Sequence, residues 1–500
     1  MVRLPCANLN GQMGLPTISR REALLGLAAA TTHLQAAGDL CFLSAVEMAQ
    51  LIRTKKLSAR ELLAAHLKQI ERVNPKLNAI VTLVADRAKA SALAADERQA
   101  KKGTLGPLHG LPIAHKDLVN TKGIRTTYGS PLFKDQIPAN DDPLVERIRE
   151  AGAILIGKTN TPEFGAGSQT FNTIFGATLN PYDTAKTCGG SSGGAAVALA
   201  AGMLPIADGS DLGGSLRNPA AFCNVVGFRP SPGRVPNSDF SPLATSGPMA
   251  RSVADVALLL STMAGPHLAS PLSLPEPGSI FGQPLDRSFK GVRVAWFKAL
   301  GGVPFDPRVT TVVNAQRKVF EELGCIVEQA EPDFTGADFA FKTLRAWGSA
   351  AKHGDRIRTQ RALYKDTLLA EVEQGLKLTG ADIAQAELLH AQVWHRFQAF
   401  LGRFEYFVLP ATQVPPFDVR VPYPTEINGT RLDGYIDWMK ACWYISLVGN
   451  PAISVPAGFT PEGLPIGLQI VGRRHQDFAV LQVANAFEQV THIARRHPPV

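Results

Sequence analysis

Two serines and a lysine set among glycines have the residue types and spacing to do chemistry. The first tract reads Cys188-Gly189-Gly190-Ser191-Ser192-Gly193-Gly194, and the second Gly209-Ser210-Asp211-Leu212-Gly213-Gly214-Ser215-Leu216-Arg217. Upstream stands Pro112-Ile113-Ala114-His115-Lys116-Asp117. Ser215 follows a glycine pair that lets the backbone turn tightly and bring N–H groups close to a substrate. The amides of Leu212, Gly213, Gly214 and Ser215 are candidates for an oxyanion hole, where each donor is typically worth about 2.7–4 kcal/mol in the transition state. A serine hydroxyl needs a base, and Lys116 is the candidate. In water an amine of pKa about 10.4 is neutral roughly once in a thousand at pH 7.4. Burial lowers that pKa and makes the amine a competent base. Ser191 can bridge Lys116 to Ser215 and relay the proton. Such a set cleaves an amide by acyl transfer without metal or histidine.

A second pattern competes for attention. Gly152-Ala153-Ile154-Leu155-Ile156-Gly157-Lys158-Thr159 matches the phosphate-binding P-loop letter for letter. That motif needs its middle residues in a loop whose amides cradle phosphate. Here they are Ala-Ile-Leu-Ile, which read as a buried strand, so nucleotide binding is not expected.

The elements that position these segments read as alternating helices and strands. Ser44-Ala45-Val46-Glu47 and Ser58-Ala59-Arg60-Glu61 are capping boxes that open helices. Leu62, Leu63, Leu67 and Ile70 give the second helix an apolar face, and Asn74-Pro75 is expected to stop it. Residues 79–84 read as a strand, 86–102 as a helix, 145–151 as a helix and 153–156 as a strand buried on both faces. Residues 195–201 form a helix apolar nearly all round, hence buried. Residues 264–290 read as a surface connection, 291–296 as a strand, and a helix runs from Asp306-Pro307 to Leu323. Residues 336–405 are mainly helical. Strands follow at 407–410, 452–456 and 467–472, and a helix from Asp477. The alternation argues an α/β fold: one large domain with a central, twisted, mixed sheet covered by helices.

Composition sets bounds. The 500 residues carry a formal net charge of +8, and 45% are hydrophobic. The basic residues are scattered, without the clustering or aromatic interleaving of a nucleic-acid surface. The six cysteines are dispersed, so neither a disulfide framework nor a zinc site is indicated. No metal and no cofactor is expected. Ser19-Arg20-Arg21-Glu22-Ala23-Leu24-Leu25, with the short apolar run to Ala37, reads as a twin-arginine-type export signal over residues 1–37. The run is too short to span a membrane. Its removal leaves a net charge of +6 and a catalytic domain of residues 38–500, periplasmic or secreted. Met13 is an alternative start, and a protein that keeps this segment would be cytoplasmic.

The three chemical segments resemble those of the amidase signature family, serine hydrolases with a Ser–cis-Ser–Lys triad. The resemblance covers nearly the whole chain after the signal, from Leu57-Ser58 to Gly467-Leu468-Gln469, and includes Gly157-Lys158-Thr159-Asn160-Thr161-Pro162-Glu163-Phe164. It implies Ser215 as nucleophile, Ser191 as the cis-serine relay after a cis Gly190–Ser191 bond, and Lys116 as base. It implies supporting positions for Ser192, Ser210 and Asp211, and an Arg217 paired with Asp211. Cys188 and His115 depart from the family's usual residues and are candidates for touching the substrate. The variable region 336–405 and the aromatic group Tyr435, Trp438, Trp443 and Tyr444 are candidates for an uncharged pocket. That pocket would favour hydrophobic or aryl amides, with esters and carbamates as side activities. The expected partner is a small-molecule amide, without nucleic acid or stable membrane association; a homodimer is compatible with the sequence. Two other readings remain. One is the glutamine-hydrolysing subunit of a tRNA-dependent amidotransferase, and the other a non-catalytic binding protein on the same fold.

Overall fold

The computed structural model describes residues 40–237 and 240–500; residues 1–37, read from the sequence as an export signal, lie outside them. Both capping boxes form. In each, the serine hydroxyl accepts the N–H of the glutamate three residues on, whose carboxylate accepts the serine N–H. They open α1 (Ala45–Arg53) and α2 (Ala59–Leu77). Helix α2 runs past Asn74-Pro75 and stops at Asn78, which takes a left-handed conformation. The proline's missing donor falls in the last turn, where Asn74 Oδ1 steadies the exit by accepting the N–H groups of Ala79 and Ile80 at 2.9 Å.

Apart from two short two-stranded pairs (Phe171–Asn172 with Gly176–Ala177, and Glu426–Ile427 with Thr430–Arg431), the strands of the described residues lie in two main sheets. The smaller has the order β1-β3-β2, with β1 (Ile80–Leu83) antiparallel and β2 (Pro112–Lys116) parallel to the central β3 (Ile154–Thr159). Helices α3 (Ala85–Ala100) and α4 (Pro143–Glu150) connect them. All but the first two residues of the P-loop look-alike form β3. A Cβ on Gly157 would lie 1.9 Å from the Thr82 carbonyl oxygen, so glycine lets β1 close on β3 there. Lys158 is buried and donates to Val119 O and to Thr121 Oγ1 (3.0 Å).

Helix α5 (Gly193–Ala200) is wholly buried, as its composition requires. The larger sheet begins with β4 (Ile206–Asp211), followed by the buried α6 (Arg217–Phe222), then β5 (Val226–Arg229), β6 (Thr245–Ala250) and α7 (Val253–Met263). It continues with β7 (Arg293–Trp296). The single helix expected from Asp306 to Leu323 is two, α8 (Pro307–Asn314) and α9 (Arg317–Glu322), before β8 (Ile326–Gln329). Three helices then form the helical region: α10 (Ala337–Gln360), α11 (Asp366–Leu376) and α12 (Gly380–Arg403). After β9 (Tyr406–Pro410) come α13 (Lys440–Val448), β10 (Ala452–Phe459), β11 (Pro465–Gly472) and α14 (Asp477–Thr491).

The eight strands run in the order β8-β7-β9-β11-β10-β5-β6-β4. The β8-β7-β9 side is parallel and the remainder antiparallel, so the sheet is mixed. Its edge strand β4 lies against β2 of the smaller sheet, where Asp208 Oδ2 accepts the Lys116 N–H at 3.3 Å. That seam brings the lysine segment to the second Gly/Ser tract.

Candidate active site

The site forms where the ends of β2 and β4 meet the start of α5. Lys116, last in β2, is fully buried. Its Nζ donates to three hydroxyls: Ser191 Oγ at 2.7 Å, Ser192 Oγ at 2.9 Å and Ser210 Oγ at 3.0 Å. Burial pushes its pKa down to about 7, while the Asp208 and Asp211 carboxylates pull the other way. Its desolvation therefore leaves the amine able to take a proton near neutrality.

The first Gly/Ser tract packs too tightly for side chains. A Cβ on Gly194 would lie 2.3 Å from the Asn160 backbone nitrogen. The Gly190–Ser191 peptide is cis, and Ser168 Oγ donates to the Gly190 carbonyl at 2.5 Å. The tracts are joined directly, since the Ser192 N–H donates to the Ser215 carbonyl at 3.2 Å.

Asp211 organises the second tract. Arg217 grips its carboxylate through Nε and Nη2, both at 3.0 Å, and Arg229 adds a contact at 3.4 Å. All three side chains are buried. Burial works to raise the pKa of Asp211, but the two guanidiniums hold it well below the usual carboxylate range. The carboxylate then accepts the N–H groups of Gly214 (2.8 Å) and Leu216 (3.2 Å) and shapes the turn, with Gly214 at φ 118°. This corrects the expected oxyanion set, because the Gly214 amide is already engaged. The amides of Leu212, Gly213 and Ser215 have no acceptor among the described residues. The Ser215 hydroxyl is partly exposed and makes no hydrogen bond to another described residue.

Ser191, Ser210, Asp211, Leu212, Gly213 and Ser215 line one cavity of about 500 Å³. Helix α10 forms its far wall through a stripe at helical spacing: Leu344, Arg345, Gly348, Ser349, Lys352 and His353. Leu118, Phe164, Leu368 and Met439 supply apolar surface. Burial, with Arg356 and Lys352 nearby, pushes the pKa of His353 down to about 4, so its ring faces Phe164 (centroids 4.5 Å apart) as a neutral aromatic at pH 7.

Several expected substrate contacts lie elsewhere. Cys188 is fully buried off the cavity, its thiol on the Thr178 carbonyl at 3.3 Å, and burial pushes its pKa up to about 12. His115 is buried, meets Asp208 at 2.6 Å and does not line the cavity. Trp438 stacks on Phe222, Trp443 on Phe341 and Tyr444 on Phe334, all as core. Trp443 and Tyr444 are turned inward by α13, and Trp438 by the 3-10 turn Asp437–Met439 just before it. Tyr435 stands behind the wall, its hydroxyl between Arg345 (2.6 Å) and Glu371. The cavity is not uncharged either, since Arg345, Glu371 and Lys352 line it. Composition hid these residues, although the α10 stripe was present as a periodicity.

The chain matches the amidase family model over residues 61–481. It is 36% identical over 468 residues to an acylamidase of Rhodococcus erythropolis, covering 92% of this chain and 98% of that one. It is also 35% identical over 482 residues to a glutamyl-tRNA(Gln) amidotransferase subunit of Synechococcus sp. (strain CC9605), covering 90% and 96%. Its structure superposes with a TM-score of 0.86 on the crystal structure of a bacterial aryl acylamidase of the amidase signature family. That pair is 29% identical, with 91% and 97% of the two chains covered. With that match spanning the segments that carry Lys116, Ser191 and Ser215, the chain belongs to the amidase family and is an amide-hydrolysing enzyme.

Proposed function

We propose that this enzyme cleaves hydrophobic and aryl amides by acyl transfer through Ser215, Ser191 and Lys116. One observation carries the reading: a buried amine bonded to Ser191 stands behind a cavity that Ser191 and Ser215 share with three amides lacking an acceptor among the described residues. Ser215 Oγ attacks the carbonyl carbon, its proton passes to Ser191 Oγ, and that of Ser191 passes to Lys116. The negative oxygen rests on the amides of Leu212, Gly213 and Ser215. The proton returns through Ser191 to the leaving amine, the C–N bond breaks, and water releases the acid by the same relay in reverse.

The apolar surface of Leu118, Phe164, Leu344 and Leu368 supports the preference for aryl amides, as do the acylamidase and aryl acylamidase relatives. The test is labelling by a fluorophosphonate followed by intact mass, with a panel of anilides, small aliphatic amides and glutamine. One adduct on wild type and none on Ser215→Ala, with anilides turned over best, is the expected result. Absence of an adduct on folded protein refutes the nucleophile, and glutamine as the best substrate refutes the substrate class in favour of the amidotransferase reading. We also propose export through residues 1–37, resting on the Arg20-Arg21 pair and the apolar run after it. Retention of a doubly lysine-substituted protein in the cytoplasm, beside periplasmic wild type, is the expected result; identical fractionation of the two refutes it.

A further inference from the structure

The cavity wall holds a charge pair that the proposed mechanism does not use. Arg345 on α10 is one-tenth exposed, and its Nε donates to Glu371 of α11 at 2.8 Å. Its Nη2 donates to the Tyr435 hydroxyl at 2.6 Å, and its guanidinium lies over that ring. Glu371 also accepts from Ser349 and Tyr435. Two sides of the guanidinium are therefore fixed. The third, Nη1, has no acceptor among the described residues and lies 3.9 Å from where a Cβ on Gly213 would stand. A fixed donor thus borders the turn whose Leu212, Gly213 and Ser215 amides have no acceptor among the described residues.

The ends of the cavity can be told apart. The relay returns its proton to the leaving amine, so that amine must lie on the side of Ser191. Ser191 Oγ lies 3.4 Å from where a Cβ on Gly165 would stand, and Phe164 precedes Gly165. The amine's ring therefore faces Phe164 and His353, two turns along α10 from Arg345. The acyl chain then extends toward Gly213 and Arg345.

We infer that Arg345 is a specificity-determining residue that donates a hydrogen bond from Nη1 to an acceptor on the acyl group, within a few atoms of the scissile carbonyl. Glu371 balances its charge, so neutral acceptors such as an ether or second carbonyl oxygen are favoured over a carboxylate. The inference rests on the proposed amidase reading and narrows its substrate class to amides with a neutral polar acyl group.

The test compares methoxyacetanilide with butyranilide, which differ by an ether oxygen in place of a methylene. The same acyl pair is run as primary amides, and succinanilic acid supplies a carboxylate. The readout is the kcat/KM ratio within each pair, taken between variants so that intrinsic reactivity cancels. Arg345→Met lowers the methoxyacetyl preference about tenfold or more, the factor for one charge-assisted hydrogen bond. Glu371→Gln raises relative turnover of succinanilic acid, a gain that a merely structural role would not produce. If Arg345→Met does not fold because Glu371 is left unpaired, the Arg345→Met/Glu371→Gln variant, which buries no unpaired charge, is read the same way. An unchanged ratio in folded protein, or equal loss on both members of a pair, overturns the inference. Turnover of the primary amides but not the anilides refutes the aryl preference and leaves the Arg345 ratio readable. No turnover of any of them refutes the amidase reading and the inference with it.

Discussion

Replacing Lys116 with methionine should remove activity and make the protein more stable at neutral pH. The pKa of Lys116 falls from 10.5 to about 7 on folding. A group lowered in this way binds fewer protons in the folded state than in the unfolded one between those two values, so stability rises with pH across that window. Above about pH 10.5 the amine is neutral in both states and burial of the charge costs nothing. At pH 7 the penalty amounts to about 4 kcal/mol, and at pH 10 to about 1 kcal/mol. Methionine removes the penalty but leaves three hydroxyls without their donor, at about 1 kcal/mol each. The variant should therefore be about 1 kcal/mol more stable than wild type at pH 7 and about 2 kcal/mol less stable at pH 10. Urea unfolding of both proteins at the two pH values measures this. A stability difference that stays flat between pH 7 and pH 10 would refute the claim that burial depresses the amine. In wild type, kcat/KM should climb about tenfold between pH 6 and pH 8 as the amine loses its proton; a profile flat across that range would remove Lys116 as the base.

Other consequences can be checked directly. Asp211→Asn leaves Arg217 and Arg229 buried without a carboxylate, and should cost about 3–5 kcal/mol in urea unfolding together with most activity; a loss under 1 kcal/mol would contradict the role of Asp211 in shaping the turn. Gly157→Ala drives a methyl group into the Thr82 carbonyl and should lower stability by about 2 kcal/mol or more, while ATP leaves the thermal midpoint of wild type unchanged. Cys188→Ala should keep kcat/KM within a few-fold, because the thiol does not reach the cavity; a large change in substrate preference would restore it as a contact. A Cβ on Gly348 meets nothing within 4 Å, so Gly348→Ala should stabilise α10 by about 1 kcal/mol, and Gly348→Phe should discriminate against bulky anilides in a kcat/KM panel.

The sequence by itself determined the catalytic candidates and the fold class. The three segments pointed to Lys116, Ser191 and Ser215 through their resemblance, in order and spacing, to the amidase signature, and binary patterning is local, so Ser44, Ser58 and the apolar run of β3 could be read one segment at a time. It also excluded the P-loop, because Ala153-Ile154-Leu155-Ile156 cannot be a phosphate-binding loop and a buried strand at once. Tertiary structure decided which groups meet. Only the seam between β2 and β4 puts Lys116 against Ser191, Ser192 and Ser210, and only the turn around Asp211 withdraws the Gly214 amide. The substrate wall was the least legible part. Whether Trp443 or Arg345 faces the cavity depends on how α10 and α13 rotate against the sheet, and that rotation is fixed by packing between segments about a hundred residues apart in the chain. Local patterning marks a buried face without saying whether its neighbour is core or an open cavity.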